Sequence, residues 1–451
     1  MVKIDRILEL SKLTLSPAEK KSFEEDLDEM IFFVDRVRNP GPSPSVTLIK
    51  DESSSADCFR FEQISEKENI DLNSFIGDYD LTGDPISVKD NILVKGMPCT
   101  AGSKMLSGFI APYDSPSVAK LRAAGFKIAG KTNMDEFAMG GASLTGFTGP
   151  VINPLYPDRI VGGSSGGAAA GVCAGLVRWA LGSDTGGSLR QPAAYLGLTC
   201  LKPTYGNVSR HGLIAYASSF DQIGPIARTP SDVKHVFEII NEGRYKNELP
   251  SGYRLLLPDN LISMSEDHDA IYQATGLMGA SEVFRFDMPC TDEILACYYI
   301  IACAEASSNL GRYDSDRYMS RDDGFGYEVK KRICLGNFVL SEGFYDEYYM
   351  KAVKVAEGLK VLIDGILTDD SVIMMPVTKG RAPLLSEYGG LRRYTDDIFT
   401  VYANILGLPS VCFPIGVRED GSPIGIQLMG SRGSEELLLK IASKAGGYDH
   451  V

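Results

Sequence analysis

Gly162-Gly163-Ser164-Ser165-Gly166-Gly167-Ala168-Ala169-Ala170-Gly171, with Gly182-Ser183-Asp184-Thr185-Gly186-Gly187-Ser188-Leu189-Arg190-Gln191-Pro192 shortly after it, is the densest local signal in the chain. Three readings compete for it. A phosphate-binding loop needs GxxxxGK[ST], and no lysine follows any of these glycines. A nucleophile elbow fits the letters of GxSxG at Gly163-Ser164-Ser165-Gly166-Gly167, but it needs a strand directly before it and a histidine later in the chain. The residues ahead of it, Pro154-Leu155-Tyr156-Pro157-Asp158-Arg159, read as turns, and the four histidines, His211, His235, His268 and His450, offer no obvious base. The third reading is structural: small residues let a helix and a strand approach closely.

Further upstream, Pro85-Ile86-Ser87-Val88-Lys89-Asp90-Asn91 puts a lysine at the end of an apolar strand. A buried lysine loses solvation, its pKa falls, and the neutral amine can act as a base near neutral pH. A lysine and two serines can then do the work of a histidine. Alone, Lys89 reads as a surface residue at a strand end; together the three segments point to nucleophilic catalysis.

Around these segments, from about Asp80 onward, strand-like runs at Pro85–Val88, Lys127–Ala129, Val372–Met375 and Val411–Ile415 alternate with helical stretches and many glycines, the pattern of a mixed α/β sheet. The first forty residues read as two amphipathic helices. Ile4, Ile7, Leu8 and Ser11 share one face, and Phe23, Leu27, Met30, Ile31 and Val34 recur at helical spacing. Ser16-Pro17-Ala18-Glu19 supplies an N-cap, a first-turn proline and a capping-box glutamate; Asn39-Pro40-Gly41-Pro42 is a stop signal. Two helices alone bury too little to stand, so this piece must dock elsewhere. Pro, Ser, Asp and Glu then dominate to about Ser74. The division that follows is a helical segment over 1–40, an extended connector over 41–74 and an α/β domain over 75–451.

At 451 residues the chain has ample length for a substantial core, and its composition (44% hydrophobic, 23% charged) is that of a globular protein. A net charge of −14 argues against a broad phosphate-binding surface. No apolar leader and no membrane-length apolar run occur, so the expectation is a cytoplasmic protein without a membrane partner. Nine cysteines show no CxxC pair and no metal-ligand spacing, which reads as reduced thiols and no metal site.

These motifs resemble the amidase signature family. The match runs from about Pro85 to Val233 and resumes at Gly407-Leu408-Pro409 and Pro423-Ile424-Gly425-Ile426-Gln427. Within the family the chain is most similar to the A subunits of glutamyl-tRNA(Gln) amidotransferases, through Lys202-Pro203-Thr204-Tyr205-Gly206, Ser218-Ser219-Phe220-Asp221-Gln222-Ile223-Gly224-Pro225 and Glu305-Ala306-Ser307-Ser308-Asn309-Leu310. The resemblance implies the amidase-signature fold, a mixed sheet covered by helices. It also implies a triad in which Ser188 is the nucleophile, Ser164, after a cis peptide, the bridging serine, and Lys89 the base, with Ser165 a supporting neighbour. The N–H groups of Thr185, Gly186, Gly187 and Ser188 are expected to form the oxyanion site. Arg332 and Asp397 match the positions that hold the carboxylate and ammonium of glutamine, and a tyrosine of Tyr298-Tyr299, taken as Tyr298, lines the same pocket.

The implied activity is glutamine hydrolysis for a B-like partner subunit, which would use ATP and Mg²⁺ and bind most of the tRNA; no cofactor is expected in this chain. A free-standing amidase acting on small neutral or aryl amides is the alternative, and a non-enzymatic scaffold a third. The N-terminal stretch Ile7–Ser16, Phe23–Leu27 and Ile31–Asp35 resembles the small C subunit of the same amidotransferases, here fused ahead of the A-like domain. The chain departs from the pattern in short segments at 232–298 and at Tyr318–Gly324. Gly141-Ala142-Ser143-Leu144-Thr145-Gly146 stands where the family has a more polar run.

Overall fold

In the computed structural model, which describes residues 4–38, 45–51, 72–243, 250–314, 316–390 and 392–446, the apolar run ahead of Lys89 is a strand whose four residues are all buried. Described strands are β1 Ile49–Asp51, β2 Phe75–Ile76, β3 Ile86–Lys89, β4 Ile128–Thr132, β5 Trp179–Asp184, β6 Thr199–Lys202, β7 Gln222–Ala227, β8 Arg254–Pro258, β9 Glu282–Phe286, β10 Ser371–Pro376, β11 Ser410–Val417 and β12 Pro423–Gly430. They form one sheet in the order β1-β9-β8-β10-β12-β11-β6-β7-β5-β3-β4-β2. Pairing is parallel for β3 with β4 and β5 and for β8 with β9 and β10, and antiparallel elsewhere, so the expected mixed sheet is present.

Both faces of the sheet are covered, because successive strand residues point opposite ways. Along β10, Val372 and Met374 enter one core with Val233, Val236 and Leu438 from flanking helices. Ile373 and Met375 enter another with the helices Ile294–Asn309 and Tyr327–Leu340. Among the described residues, Ile294–Arg312 is the one stretch long and apolar enough to cross a membrane, and 78% of it is buried inside the protein as a core helix.

The N-terminal helices are α1 (Ile4–Ser11) and α2 (Pro17–Val34). α1 buries the four residues read from its sequence, and α2 starts on the complete capping box of Ser16 and Glu19, a cap worth about 1 kcal/mol. α2 buries Phe23, Leu27, Met30 and Val34, but also Phe33; Ile31 is only half-buried. α1 docks on Tyr327–Leu340 and α2 on both Ile294–Asn309 and Tyr327–Leu340, joining their apolar core. Asn337 Nδ2 donates to Ser11 Oγ at 2.9 Å and Arg321 Nη1 to Ser11 O at 2.7 Å, which satisfies the end of α1.

The Asn39–Pro42 stop, the acidic run over 52–71, Cys58 and His450 lie outside the described residues. Of the connector expected over 41–74, the described parts do more than link. Ile49–Asp51 pairs antiparallel with β9 at one edge of the sheet, and Phe75–Ile76, just past its end, pairs with β4 at the other.

Candidate active site

Lys89 closes β3 with its amine inside the protein, 2.7 Å from Ser164 Oγ, 2.9 Å from Ser165 Oγ and 3.4 Å from Ser183 O. Burial pushes its pKa down to about 7, against the opposing pull of Asp135, Asp184 and Asp221, so an uncharged amine is available near neutrality. Donor counting then orients the group. Ser165 Oγ donates its one proton to Ser183 O at 3.0 Å, so it accepts from Lys89. A neutral amine with its two protons on Ser165 and Ser183 turns its lone pair to Ser164, whose hydroxyl donates to it. Ser165 thus orients the Lys89 amine, where the elbow reading made it a nucleophile.

The Gly163–Ser164 peptide bond is cis, and Ser164 and Ser165 open the helix Gly166–Cys173. A Cβ on Gly163 would lie 2.3 Å from Asp135 Oδ2, so only glycine lets this backbone pass. Asp135 accepts the N–H groups of Ala142 (3.2 Å), Ser143 (2.8 Å), Leu144 (3.0 Å) and Thr145 (3.3 Å), together with the Thr145 hydroxyl at 2.9 Å. The short 141–146 segment is therefore a backbone cage around a buried carboxylate. What its side chains lack in polarity its amides supply. Ser143 Oγ ties the cage to the serine segment, donating to Gly162 O and accepting from Gly166 N–H, both at 3.0 Å.

Ser188 sits, buried, on the turn between β5 and the helix Arg190–Tyr195, and its carbonyl accepts from Ser165 N–H at 3.1 Å. No hydrogen bond among the described residues joins the Ser164 and Ser188 hydroxyls. The turn is held from behind by Asp184 and Arg190, both fully buried. Arg190 Nε and Nη2 reach the two Asp184 oxygens at 3.0 and 2.9 Å, and its other donors go to Thr400 O, Gln427 Oε1 and Asn404 Oδ1. Although burial acts against it, this ion pair holds the Asp184 carboxyl well below the usual carboxylate range.

The oxyanion expectation needs a correction at Gly187. Its N–H donates to Asp184 Oδ1 at 2.9 Å, so that amide is already engaged, and of the four expected donors Thr185, Gly186 and Ser188 are left. Thr185 Oγ1 is fixed by Asp221 at 2.7 Å. At Gly186 a Cβ would stand 2.4 Å from Tyr298 Oη and 2.5 Å from Cζ. Gly186→Ala is therefore expected to push Tyr298 or the turn aside and lower kcat by about 10²-fold, the loss typical of one misplaced oxyanion donor, with a lowered melting temperature from the overpacking; steady-state rates and a thermal melt check it.

The turn Asp397–Thr400 closes the other side. Thr400 Oγ1 donates to Gly186 O at 2.5 Å and lies 3.1 Å from Asp397 O, which sets Asp397 beside the turn that bears Ser188. Tyr299 donates to Asp397 Oδ2 at 2.5 Å, and Tyr298 lies over Gly186, so the two neighbouring tyrosines divide the wall between them. Burial pushes the Asp397 carboxyl up to about 7 despite Tyr299 and Arg332. Arg332 is buried among the rings of Tyr216, Tyr299 and Tyr394 at 5.5, 5.2 and 5.8 Å. Its Nε donates to Glu328 at 2.9 Å and its Nη1 to Tyr216 Oη at 2.5 Å. The open fork expected from sequence is thus partly filled, and Nη2 is the nitrogen with no hydrogen bond among the described residues.

None of the three described histidines enters this site: His211 stacks on Tyr113, His235 packs by Phe126 and Trp179, and His268 faces Ser265 O. Sequence reading missed the Asp135 cage, the Asp184–Arg190 clamp, Thr400 and Glu328. Asp184 and Arg190 stood inside the quoted motif, and Glu328 stands four residues before Arg332, a helical ion-pair spacing that could have found it; the Asp135 cage and Thr400 carry no local signal.

The model of the family described as amidase matches residues 55–251 and 267–439. The chain belongs to the amidase family. This amidase is 42% identical to the A subunit of the glutamyl-tRNA(Gln) amidotransferase of Wolinella succinogenes, over 82% of this chain and 90% of the relative. With its counterpart in Lachnoclostridium phytofermentans it shares 38% identity over 96% of this chain and 97% of that one. Among solved structures it resembles the glutamyl-tRNA(Gln) amidotransferase A subunit of Thermotoga maritima, with 34% identity, a TM-score of 0.70, and 97% and 93% of the two chains covered. It also resembles an amidase at 29% identity and a TM-score of 0.72, covering 82% and 85%.

Proposed function

We propose that this amidase is the glutaminase subunit of a glutamyl-tRNA(Gln) amidotransferase. The observation that carries this reading is the buried Lys89 amine, 2.7 Å from Ser164 Oγ, together with a buried arginine, Arg332, and a carboxylate, Asp397, the second of them beside the turn that bears Ser188. The names of the full-length relatives support it. Neutral Lys89 takes the Ser164 proton as Ser164 takes that of Ser188, and Ser188 Oγ attacks the carboxamide carbon of glutamine. The amides of Gly186, Ser188 and Thr185 are the donors available to the oxyanion. Collapse returns the proton through Ser164 to the departing nitrogen, giving ammonia and a glutamyl ester on Ser188, which water then hydrolyses. The Ser188–Ser164 contact is the one that substrate binding has to complete.

Arg332, through Nη2, takes the α-carboxylate, Asp397 the α-ammonium, and Tyr298 the wall between them and the oxyanion turn. Ammonia passes to a B-like subunit, which takes ATP and Mg²⁺ and converts Glu-tRNA(Gln) to Gln-tRNA(Gln). The reading assigns no cofactor to this chain and places it in the cytoplasm, with tRNA held mainly by the partner, in keeping with the charge of −14. It divides the chain into a C-subunit-like helical segment over 1–40, a connector over 41–74 and the glutaminase domain over 75–451. Tethering the first to the last would raise the clamp's effective concentration.

Intact-mass analysis after rapid quench tests this reading. L-Glutamine is expected to leave a glutamyl adduct on Ser188 that is absent from Ser188→Ala, with copurification of a B-like subunit. An adduct from a small neutral amide but none from glutamine would overturn it in favour of a free-standing amidase.

A further inference from the structure

Arg332 and Asp397 stand on different elements, and both are backed from outside by α2. The first route runs through charge. Asp26 Oδ2 meets Lys331 Nζ at 3.2 Å, Lys331 meets Glu328 Oε2 at 3.2 Å, and Glu328 Oε1 holds Arg332 Nε at 2.9 Å. Tyr394 closes this set: its hydroxyl lies 3.2 and 3.3 Å from the Glu328 oxygens, 3.1 Å from Lys331 Nζ and 3.6 Å from Met30 Sδ. The second route runs through rings. Phe33 meets Tyr299 edge-on at 6.1 Å between centroids, and Tyr299 donates to Asp397. Asp26, Met30 and Phe33 are spaced four and three apart, so they share one face of the helix.

Glu328 and Lys331 are almost fully buried, so their charges are screened little and the geometry of one is set by the others. Lys331 has two carboxylates to share. With Asp26 in place it spans both; without Asp26 it leans on Glu328 alone and competes with Arg332 for that carboxylate. Phe33 fixes the ring whose hydroxyl aims Asp397.

We infer that α2 is a positioning element for the amino-acid clamp: through Asp26 it sets the guanidinium of Arg332, and through Phe33 the carboxylate of Asp397, so that the N-terminal segment governs recognition of the α-amino-acid end of the substrate. This rests on the reading of Arg332 and Asp397 given above. Asp26, Met30 and Phe33 touch no reacting atom, so they act on KM and leave the chemical step alone.

The test uses the full-length chain and two substrates, L-glutamine and a small neutral amide lacking the α-amino and α-carboxyl groups. Asp26→Asn, at a half-exposed position, is expected to raise KM for glutamine about threefold to tenfold at unchanged kcat. Phe33→Ala is expected to raise it further, Phe33→Leu to restore most of it, and neither the kcat nor the KM of the neutral amide to move. Equal losses on both substrates, or no change with glutamine in Asp26→Asn, would overturn the inference and reduce α2 to support. A wild-type chain that shows no preference for glutamine would instead overturn the functional reading beneath it. Asp26→Asn keeps the test alive if Phe33→Ala loosens the docked segment, since it removes a charge and no packing volume.

Discussion

Ser188→Ala is expected to lower kcat for glutamine hydrolysis by about 10⁴-fold or more, and Lys89→Met by an amount within about tenfold of that. The two losses are alike because nucleophile, bridging serine and base act as one proton relay; once any member is missing, the others have nothing to pass or receive. The double variant should therefore be no slower than either single one. Met fills the volume of the buried lysine stem without its amine, so Lys89→Met is expected to fold, and a far-ultraviolet spectrum with a melt checks this before rates are compared. The outcome against the assignment is specific. A Ser188→Ala chain that still forms an acyl adduct, beside a Ser165→Ala chain that does not, would move the nucleophile to Ser165.

The pH profile of kcat/KM for glutamine is expected to fall steeply on the acid side, by about 100-fold per pH unit well below pH 7. Two groups of the free enzyme must be deprotonated to work, and burial brings both to about 7: the Lys89 amine downward and the Asp397 carboxyl upward. As pH drops through 7, Lys89 gains a proton and loses its lone pair, while Asp397 gains one and loses the charge that attracts an ammonium. Each contributes about tenfold per unit. Asp397→Asn removes the second group, so its acid limb is expected to have half the slope on a logarithmic plot, from a lower plateau. Rates from pH 5 to 9 decide it; a wild-type limb of unit slope would show that only one of the two titrates in this range.

Much of this could be read in the residues themselves. The strand at 86–89 follows from an apolar run that ends on a charge, and the capping box of α2 from Ser16 and Glu19, because these signals are local; the burial of Lys89 does not, since the run alone reads it as a surface residue. The partners of that lysine were accessible only through the two glycine-serine segments and the resemblance they carry. The rest depended on groups far apart in sequence. Nothing near Gly187 says that its amide is taken by Asp184, because the hydrogen bond depends on how the turn folds back on β5. Nothing near Arg332 says that Tyr216 fills its fork, 116 positions away. The edge strand Ile49–Asp51 was hidden for a similar reason: two of its three residues are exposed, so no alternation marks it, and its partner is β9.

That pairing bears on how the chain is made. β1 finds its partner about 230 residues later, and α1 and α2 dock on helices that begin at Ile294 and Tyr327. At roughly 5–20 residues per second, α1 waits about 15–65 s on the ribosome for the helix it docks on. Throughout that time Ile7, Phe23, Leu27 and Val34 have no sheet or helix to cover them. A nascent chain halted before Leu340 carries this greasy segment into the cell unpaired, a ready target for chaperones and for its own copies on neighbouring ribosomes.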